Sequence, residues 1–141
     1  MEARSFVVFT ALQIVAVGIL FWFLFTWTAP WNSQRVIGTV LTFVGVGFIA
    51  LARYQLGRSF ALKPEAHALV THGIYSKIRN PIYVFGIVLF VGIILVVQKP
   101  ALWLLLIVAV IAQTIRAHRE AKVLEAAFGD AYREYRHKTW F

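Results

Sequence analysis

Residues 81–115 read PIYVFGIVLFVGIILVVQKPALWLLLIVAVIAQTI, two apolar runs that meet at Lys99-Pro100. A single helix through this stretch would hold a proline in its interior, which costs about 3 kcal/mol. It would also leave the Lys99 ammonium group deep in an apolar environment. The sequence therefore predicts a tight hairpin of two helices, over residues 81–97 and 101–115.

Two further apolar runs precede this hairpin. Residues 6–29 carry no charge, and at about 1.5 Å per residue a helix of this length crosses a hydrocarbon core of roughly 30 Å. Residues 36–52 form the other run, in which Gly45 and Gly47 are predicted to face a neighbouring helix, because small residues allow close approach in lipid. The sequence therefore predicts an all-α integral membrane protein with four transmembrane helices, a helical hairpin and a cytoplasmic C-terminal helical tail. A single membrane domain, residues 1–141, is expected.

The composition of the chain supports a membrane location. Of its 141 residues, 60% are hydrophobic and 14% are charged, whereas soluble domains are roughly half apolar and about a quarter charged. These proportions exclude a disordered chain and argue against an ordinary soluble domain. The chain has no cysteine, which excludes disulfides, thiol catalysis and cysteine-ligated metals. Its four histidines lack metal-ligand spacing, so no metal site is predicted.

The basic residues lie on one side of the predicted membrane. The chain has 14 Lys and Arg against 6 Asp and Glu, a formal charge of +8. All of the basic residues except Arg35 and Lys99 fall in the N-terminus, residues 53–80 and residues 116–141. Because loops rich in Lys and Arg stay in the cytoplasm, these three segments are predicted to be cytoplasmic, and the compact chain indicates a bacterial inner membrane. Topology thus explains most of the basic excess, so no nucleic-acid partner is expected.

The cytoplasmic segments 53–80 and 116–141 are the expected location of any polar chemistry, because the outer loops are too short to hold a site. The hairpin returns the chain to the same side of the membrane, which predicts that the two segments meet. Asn80 and Pro81 predict the start of the third helix. Asparagine is a favoured N-cap, and the missing N–H of proline would be unpaired there anyway.

The second of these segments predicts two helical pieces. The four-residue spacing from Glu120 to Phe128 continues the fourth helix beyond the membrane, and Gly129 is predicted to end it. Tyr132 and Tyr135, three residues apart, predict a further short helix.

These polar residues also fit purely structural roles. Lys77 and Arg79 suit interfacial anchors, and Glu120 suits a solvated ion pair with Arg116 on a helix that lies on the membrane. Against this, titratable groups concentrate at functional sites. Those beside Glu120 are Arg116, His118 and Arg119.

Two motifs flank the hairpin. Residues 67–75 read HALVTHGIY, residues 79–83 read RNPIY, and beyond the hairpin residues 120–135 read EAKVLEAAFGDAYREY. In order and spacing they resemble the isoprenylcysteine carboxyl methyltransferases and their bacterial relatives, within the phospholipid-methyltransferase-like group. The similarity covers residues 53–141. The chain departs from that pattern at Ile74, Asn80 and Ala121, where the family more often has proline, histidine and a second glutamate.

The resemblance implies a methyltransferase that binds S-adenosylmethionine between the loop, the hairpin base and the tail. It implies that Glu120 holds the ammonium of the cofactor and that Arg79 or Arg116 holds its carboxylate. Tyr75 and Tyr83 are expected to face the adenine or the sulfonium. The other cofactor-binding residues that the resemblance implies are His67, Leu69, Val70 and Asn80. The catalytic residues that it implies are Glu120, Arg116 and Arg79.

The resemblance also implies a lipid-like or isoprenoid acceptor that enters from the inner leaflet, among membrane lipids. The glycine-lined face of the second helix is the expected route of entry. A small isoprenoid acid, a lipid amine and a lipidated peptide all remain open as acceptors, as do O- and N-methylation and the oligomeric state.

Two other functions fit parts of the sequence. The first is an NADPH-dependent membrane reductase of the sterol-reductase type, whose C-terminal part is similar. The Phe-Gly-x-x-Tyr-x-x-Tyr ending and the lack of an extended basic pocket for a 2′-phosphate favour the methyltransferase. The second is a non-enzymatic partner in a membrane complex, which the departures at Asn80 and Ala121 leave open.

Overall fold

The computed structural model describes residues 3–57 and 69–141, and no strand occurs in this part of the chain. Its elements are α1 (Ala3–Thr26), α2 (Ser33–Leu56), a 3-10 turn (Gly73–Ser76), α3 (Pro81–Val97), α4 (Leu102–Phe128) and α5 (Asp130–Lys138). Three of them, α1, α2 and α4, are long and apolar enough to cross a membrane, and α3 is a shorter apolar helix of 17 residues. The predicted all-α membrane architecture is confirmed.

The ends of α1 and α2 follow local cap chemistry rather than the limits of the apolar runs. α2 begins at Ser33 because the Asn32 side chain accepts a hydrogen bond from the Arg35 N–H at 3.0 Å, as an N-cap does. α1 ends at Thr26 rather than running to residue 29. Pro30 disfavours helical geometry in Ala29, so the helix does not reach that residue.

The predicted hairpin between the third and fourth helices is confirmed. α3 ends at Val97, Gln98 takes a left-handed conformation with φ of +58°, and α4 begins at Leu102. α4 then continues to Phe128 and stops at Gly129, as predicted. Gly129 has φ of +53° and its N–H donates to the Glu125 carbonyl at 2.8 Å, a conformation that glycine adopts without a steric penalty.

Close contact between α2 and α3 depends on glycine. A Cβ atom placed on Gly38 would lie 2.6 Å from the Gly92 carbonyl oxygen, and one on Gly45 would lie 2.9 Å from the Leu89 backbone. The prediction that Gly45 faces a partner helix is therefore confirmed. The same prediction for Gly47 is wrong, since no atom of residues 3–57 or 69–141 lies within 4 Å of its Cβ position. α3 covers the face of α2 that carries Gly38 and Gly45, and the expected entry of the acceptor along the glycine-lined face of α2 stays a prediction.

Arg35 lies in the first turn of α2, one residue before the apolar run 36–52. It is 1% exposed. Its Nη2 donates to the Leu24 carbonyl at 2.8 Å, its Nη1 donates to the Ala29 carbonyl, and its guanidinium lies 4.0 Å from the Trp31 ring centroid. Carbonyls at the C-terminal end of a helix lack N–H partners and favour a cation. The guanidinium of Arg35 therefore joins the end of α1 to the start of α2.

The connection between α1 and α2 also binds the connection between α3 and α4. The Gln98 side-chain amide donates to the Pro30 carbonyl and to Asn32 Oδ1, each at 3.1 Å. The Trp27 indole N–H donates to the Val97 carbonyl at 3.3 Å. These contacts hold the α1–α2 and α3–α4 connections together at the end of the molecule opposite the candidate site.

Candidate active site

The candidate site lies at the base of the hairpin, where the first turn of α3 faces α4. The Tyr83 hydroxyl donates a hydrogen bond of 2.9 Å to Glu120 Oε2, and the two residues are 37 positions apart in the chain. Both side chains are half-buried. The prediction that segments 53–80 and 116–141 meet is confirmed beside this contact, where the Tyr135 hydroxyl donates to the Tyr75 carbonyl at 2.7 Å.

Arg116 stands one helical turn before Glu120 and faces the same tyrosine. Its guanidinium carbon lies 6.0 Å from the centroid of the Tyr83 ring. The neighbouring His118 and Arg119 are exposed, and His118 Nδ1 lies 2.8 Å from the Thr114 carbonyl on the same helix. Of the titratable residues 116–120, Arg116 and Glu120 therefore lie near Tyr83, whereas His118 and Arg119 face solvent.

The 3-10 turn before α3 presents Tyr75 to this cluster. The turn is held by Gln55 of α2, whose Oε1 accepts a hydrogen bond of 2.7 Å from the Ile74 N–H. Gly73 lies against the same side chain with φ of +60°, and a Cβ atom there would lie 2.2 Å from Gln55 Oε1. The sequence does not reveal Gln55, because its partner is a backbone N–H and no residue spacing indicates such a contact.

Tyr75 is buried, 6% exposed, and holds the tail in place. Its carbonyl accepts a hydrogen bond of 2.7 Å from the Tyr135 hydroxyl of α5. Burial raises the pKa of the Tyr75 hydroxyl, and the negative charges that Glu120, Tyr135 and Tyr83 can carry raise it further. Tyr75 therefore stays neutral beside the carboxylate of Glu120.

The last residues of the chain pair with the backbone that leads into α3. The Trp140 N–H donates to the Lys77 carbonyl at 2.8 Å, and the Arg79 N–H donates to the Trp140 carbonyl at 2.9 Å. The Asn80 N–H donates to the Phe141 carbonyl at 2.8 Å. The sequence does not reveal this pairing, because it consists of backbone hydrogen bonds between segments far apart in the chain.

Arg79 reaches towards α5 from this paired segment. Its Nη1 donates to the Arg136 carbonyl at 3.4 Å. Its Nε is buried and has no hydrogen-bond partner among residues 3–57 and 69–141. Burial raises the pKa of Tyr132, while the positive charge of Arg79 lowers it and the negative charge of Glu120 raises it. Arg79 and Glu120 therefore shift the pKa of Tyr132 in opposite directions.

Asn80 precedes Pro81, which occupies the first turn of α3 as predicted. The prediction that the Asn80 side chain caps this helix is wrong, since it makes no capping hydrogen bond. The reason is its backbone conformation, φ −123° and ψ 61°, which the pairing with Phe141 imposes outside the usual N-cap region.

Three predicted residues precede the 3-10 turn in the sequence. Leu69 and Val70 are half-buried and lie a few residues before the turn. His67 lies outside the described residues. Within the residues that the structure describes, no group of three or more His, Asp or Glu side chains could hold a metal ion.

Gln113, a polar residue outside the motifs, lies close to this site. Gln113 is on α4 and its side-chain amide lies against Gly86 of α3, whose Cβ position is 3.3 Å from Gln113 Nε2. A single amide inside a long apolar run is the signal that could have found it, because polar side chains are rare in membrane-spanning helices.

The phospholipid methyltransferase family profile matches residues 11–131, which include the whole hairpin with Tyr83 and Glu120. The chain belongs to the phospholipid methyltransferase family. This is the family of the isoprenylcysteine carboxyl methyltransferase-like membrane methyltransferases, so the resemblance seen in the motifs is confirmed. The family indicates a membrane methyltransferase that acts on lipid-like substrates. Neither the curated proteins nor the solved structures contain a match to this chain.

Proposed function

We propose that this protein uses S-adenosylmethionine to methylate a carboxylate on a lipophilic acceptor at the inner face of the membrane. The observation that carries the proposal is the hydrogen bond between Tyr83 and Glu120 at the hairpin base. It joins the half-buried carboxylate of Glu120 to the first turn of α3, in a chain of a methyltransferase family.

The side chains at the site suit the charged groups of this cofactor. An ionised carboxylate offers about four acceptor positions. Tyr83 occupies one of those on Glu120, so Glu120 can still accept hydrogen bonds from an ammonium group. The buried Nε of Arg79 has no partner in the described parts of the chain, and it would donate to the cofactor's carboxylate. Arg116 is the second guanidinium in reach of the same group.

Of the two aromatic residues expected at the cofactor, Tyr83 fits better than Tyr75. Tyr83 is half-buried with one end at Glu120 and a guanidinium over its ring, so its face suits an adenine or a sulfonium. Tyr75 is almost wholly buried and its carbonyl is used by Tyr135. We assign Tyr75 the supporting role of holding the turn and α5 against the site.

In the proposed reaction these residues bind the cofactor and orient the acceptor. When bound, S-adenosylmethionine supplies a methyl group activated as a sulfonium. The protein's part is to hold the acceptor in line with that group and to exclude water. Asn80 stands where the family more often has histidine, and an amide does not titrate near neutral pH. An acceptor carboxylate is already a nucleophile and needs no base, so Asn80 supports O-methylation over methylation of an amine.

Calorimetric titration of the purified protein with S-adenosylmethionine, S-adenosylhomocysteine and NADPH tests this proposal. We expect the first two to bind and NADPH not to bind. The Glu120→Ala variant should lose cofactor binding because the ammonium loses its carboxylate, while its melting temperature shows that it still folds. Glu125→Ala is the matched control on the same helix, since Glu125 pairs with Arg133 at 2.8 Å and not with Tyr83.

Two results would contradict the proposal. Tight binding of NADPH without a response to the other two ligands would assign the protein to the reductase alternative. Unchanged affinity for S-adenosylmethionine in Glu120→Ala would remove Glu120 from the site.

A further inference from the structure

Gln113 presents a shielded polar atom beside the proposed site. Its Oε1 is buried and accepts no hydrogen bond from any residue that the structure describes. The neighbouring Thr114 differs, because its hydroxyl donates to the Val110 carbonyl at 2.8 Å. A buried acceptor without a partner is costly, and native structures keep few of them. Such an atom in an apolar helix points to a ligand that supplies the missing donor.

Gln113 is on the face of α4 that carries the site. It precedes Glu120 by seven residues, which is two helical turns, so both side chains project from one face about 10 Å apart along the axis. Ala117, between them, is 4% exposed. Across from this face, Gly86 follows Tyr83 by one turn of α3 and lies against the Gln113 amide. Gln113 therefore lies between α3 and α4, deeper in the apolar part of the molecule than Glu120.

We propose that Gln113 binds the acceptor and selects lipids that carry a hydrogen-bond donor, an N–H or an O–H, close to the carboxylate that is methylated. The proposal rests on the proposed function, since it concerns the acceptor of the same site. The depth of Gln113 assigns it to the acceptor: the charged end of the cofactor is expected at Glu120, and a lipophilic molecule comes from the apolar side. Oε1 is a hydrogen-bond acceptor, so the group that binds it must carry a hydrogen-bond donor.

Two matched pairs of acids test this selection in methyl-transfer assays with the protein in lipid nanodiscs. The N–H pair is N-dodecanoylglycine and N-dodecanoylsarcosine, which differ by one N-methyl group. The O–H pair is 2-hydroxytetradecanoic acid and 2-methoxytetradecanoic acid. We expect the wild-type protein to prefer the donor-bearing member of at least one pair by about tenfold in kcat/KM, as one buried hydrogen bond allows. The pair that responds identifies the donor.

The Gln113→Leu variant should lose this preference, mainly by a higher KM for the donor-bearing acid. It should keep its affinity for S-adenosylmethionine, and its melting temperature should equal or exceed that of the wild type, because an unpaired polar atom is removed. Thr114→Val is the matched control, and it should keep the preference. Gly86→Ala should weaken the preference too, since its Cβ would press on the Gln113 amide at 3.3 Å.

The outcomes separate this inference from the proposed function. A wild-type protein that does not bind S-adenosylmethionine contradicts the proposed function. A wild-type protein that binds it and methylates both members of each pair equally contradicts the role of Gln113 alone. Gln113→Leu overturns the inference if it loses affinity for the cofactor, which would assign Gln113 to the cofactor. It also overturns the inference if it keeps the preference and melts at a lower temperature, which would make Gln113 structural.

Discussion

Tyrosine hydroxyls join the separate segments of the site at the scale of single residues. Tyr83 reaches Glu120 across the hairpin, and Tyr135 reaches the carbonyl of Tyr75 from α5. Both bonds depend on a protonated hydroxyl, because a phenolate cannot donate. The stability of the folded tail should therefore depend on pH in the alkaline range.

The pKa of Tyr135 determines the direction in which stability changes with pH. Burial raises its pKa from 10.0 to about 12, with Arg79 acting in the opposite direction. A raised pKa in the folded state means that the contribution is complete below pH 10 and is lost as the pH rises towards about 12. We expect the melting temperature of the wild-type protein to fall over this range, and that of Tyr135→Phe to start lower at pH 8 and fall less.

Melting curves from pH 8 to 12 in detergent measure this effect. Tyr54→Phe is the control, because Tyr54 is 84% exposed and should behave like the wild type. Tyr75 and Tyr132 also have raised pKa values, so some alkaline loss will remain in Tyr135→Phe. Identical curves for Tyr135→Phe and the wild type would contradict the prediction.

The sequence predicts the roles of some residues of the molecule and not of others. Glu120, Arg79 and Tyr83 could be selected because they lie in motifs on either side of a predictable hairpin. Arg35 and Gln55 could not, because their partners are backbone carbonyls and an N–H group on other elements. A backbone atom has no identity in the sequence, so only the folded chain shows such contacts.

The α2–α3 pair shows at the scale of elements why only some glycines matter. Gly45 and Gly47 are two residues apart, so they project about 200° apart around the helix axis. Only one of them can face α3, and apolar composition alone does not say which. Gly38, a further seven residues before Gly45, lies on the same face as Gly45 and contacts Gly92. Two glycines spaced by seven residues, or two helical turns, therefore indicate the face of a helix that packs against its neighbour.

Substitution of Gly92 should separate these two helices. A Cβ atom in Gly92→Ala would lie 2.6 Å from the Thr42 N and 2.8 Å from the Gly38 carbonyl oxygen. Backbone atoms cannot move aside as a flexible side chain does, so overpacking of about 1–3 kcal/mol is expected. Thermal unfolding in detergent should show a lower melting temperature for Gly92→Ala. Gly47→Ala, with open space around its Cβ, should not be destabilised; an equal loss in both variants would contradict the packing argument.

The distribution of charge predicts the orientation of the whole molecule. We propose that both termini and the site face the cytoplasm, because 12 of the 14 basic residues lie in the predicted cytoplasmic segments. Lys99, at the hairpin tip, and Lys77, beside the site, are both exposed and lie on opposite sides in this arrangement.

Cysteine labelling in intact cells tests this orientation, and because the chain has no natural cysteine, label on the purified protein comes only from the introduced residue. An impermeant maleimide should label Lys99→Cys from outside and should label Lys77→Cys only after permeabilisation. Permeabilised cells are the control, in which both variants should react. The reverse pattern would show that the site faces outward.

The sequence by itself determined the helices, the hairpin at Lys99-Pro100 and the one-sided distribution of charge. These depend on quantities that are local along the chain: apolar length, a proline that cannot continue a helix, and counts of Lys and Arg. Only the tertiary structure decided which face of α2 meets α3 and that Arg35 is buried at the end of α1. It also decided that Glu120 bonds to Tyr83, while Gln113 Oε1 has no hydrogen-bond partner among the described residues. These depend on the rotation and approach of whole helices. Many weak contacts set them together, and no short stretch of sequence encodes them.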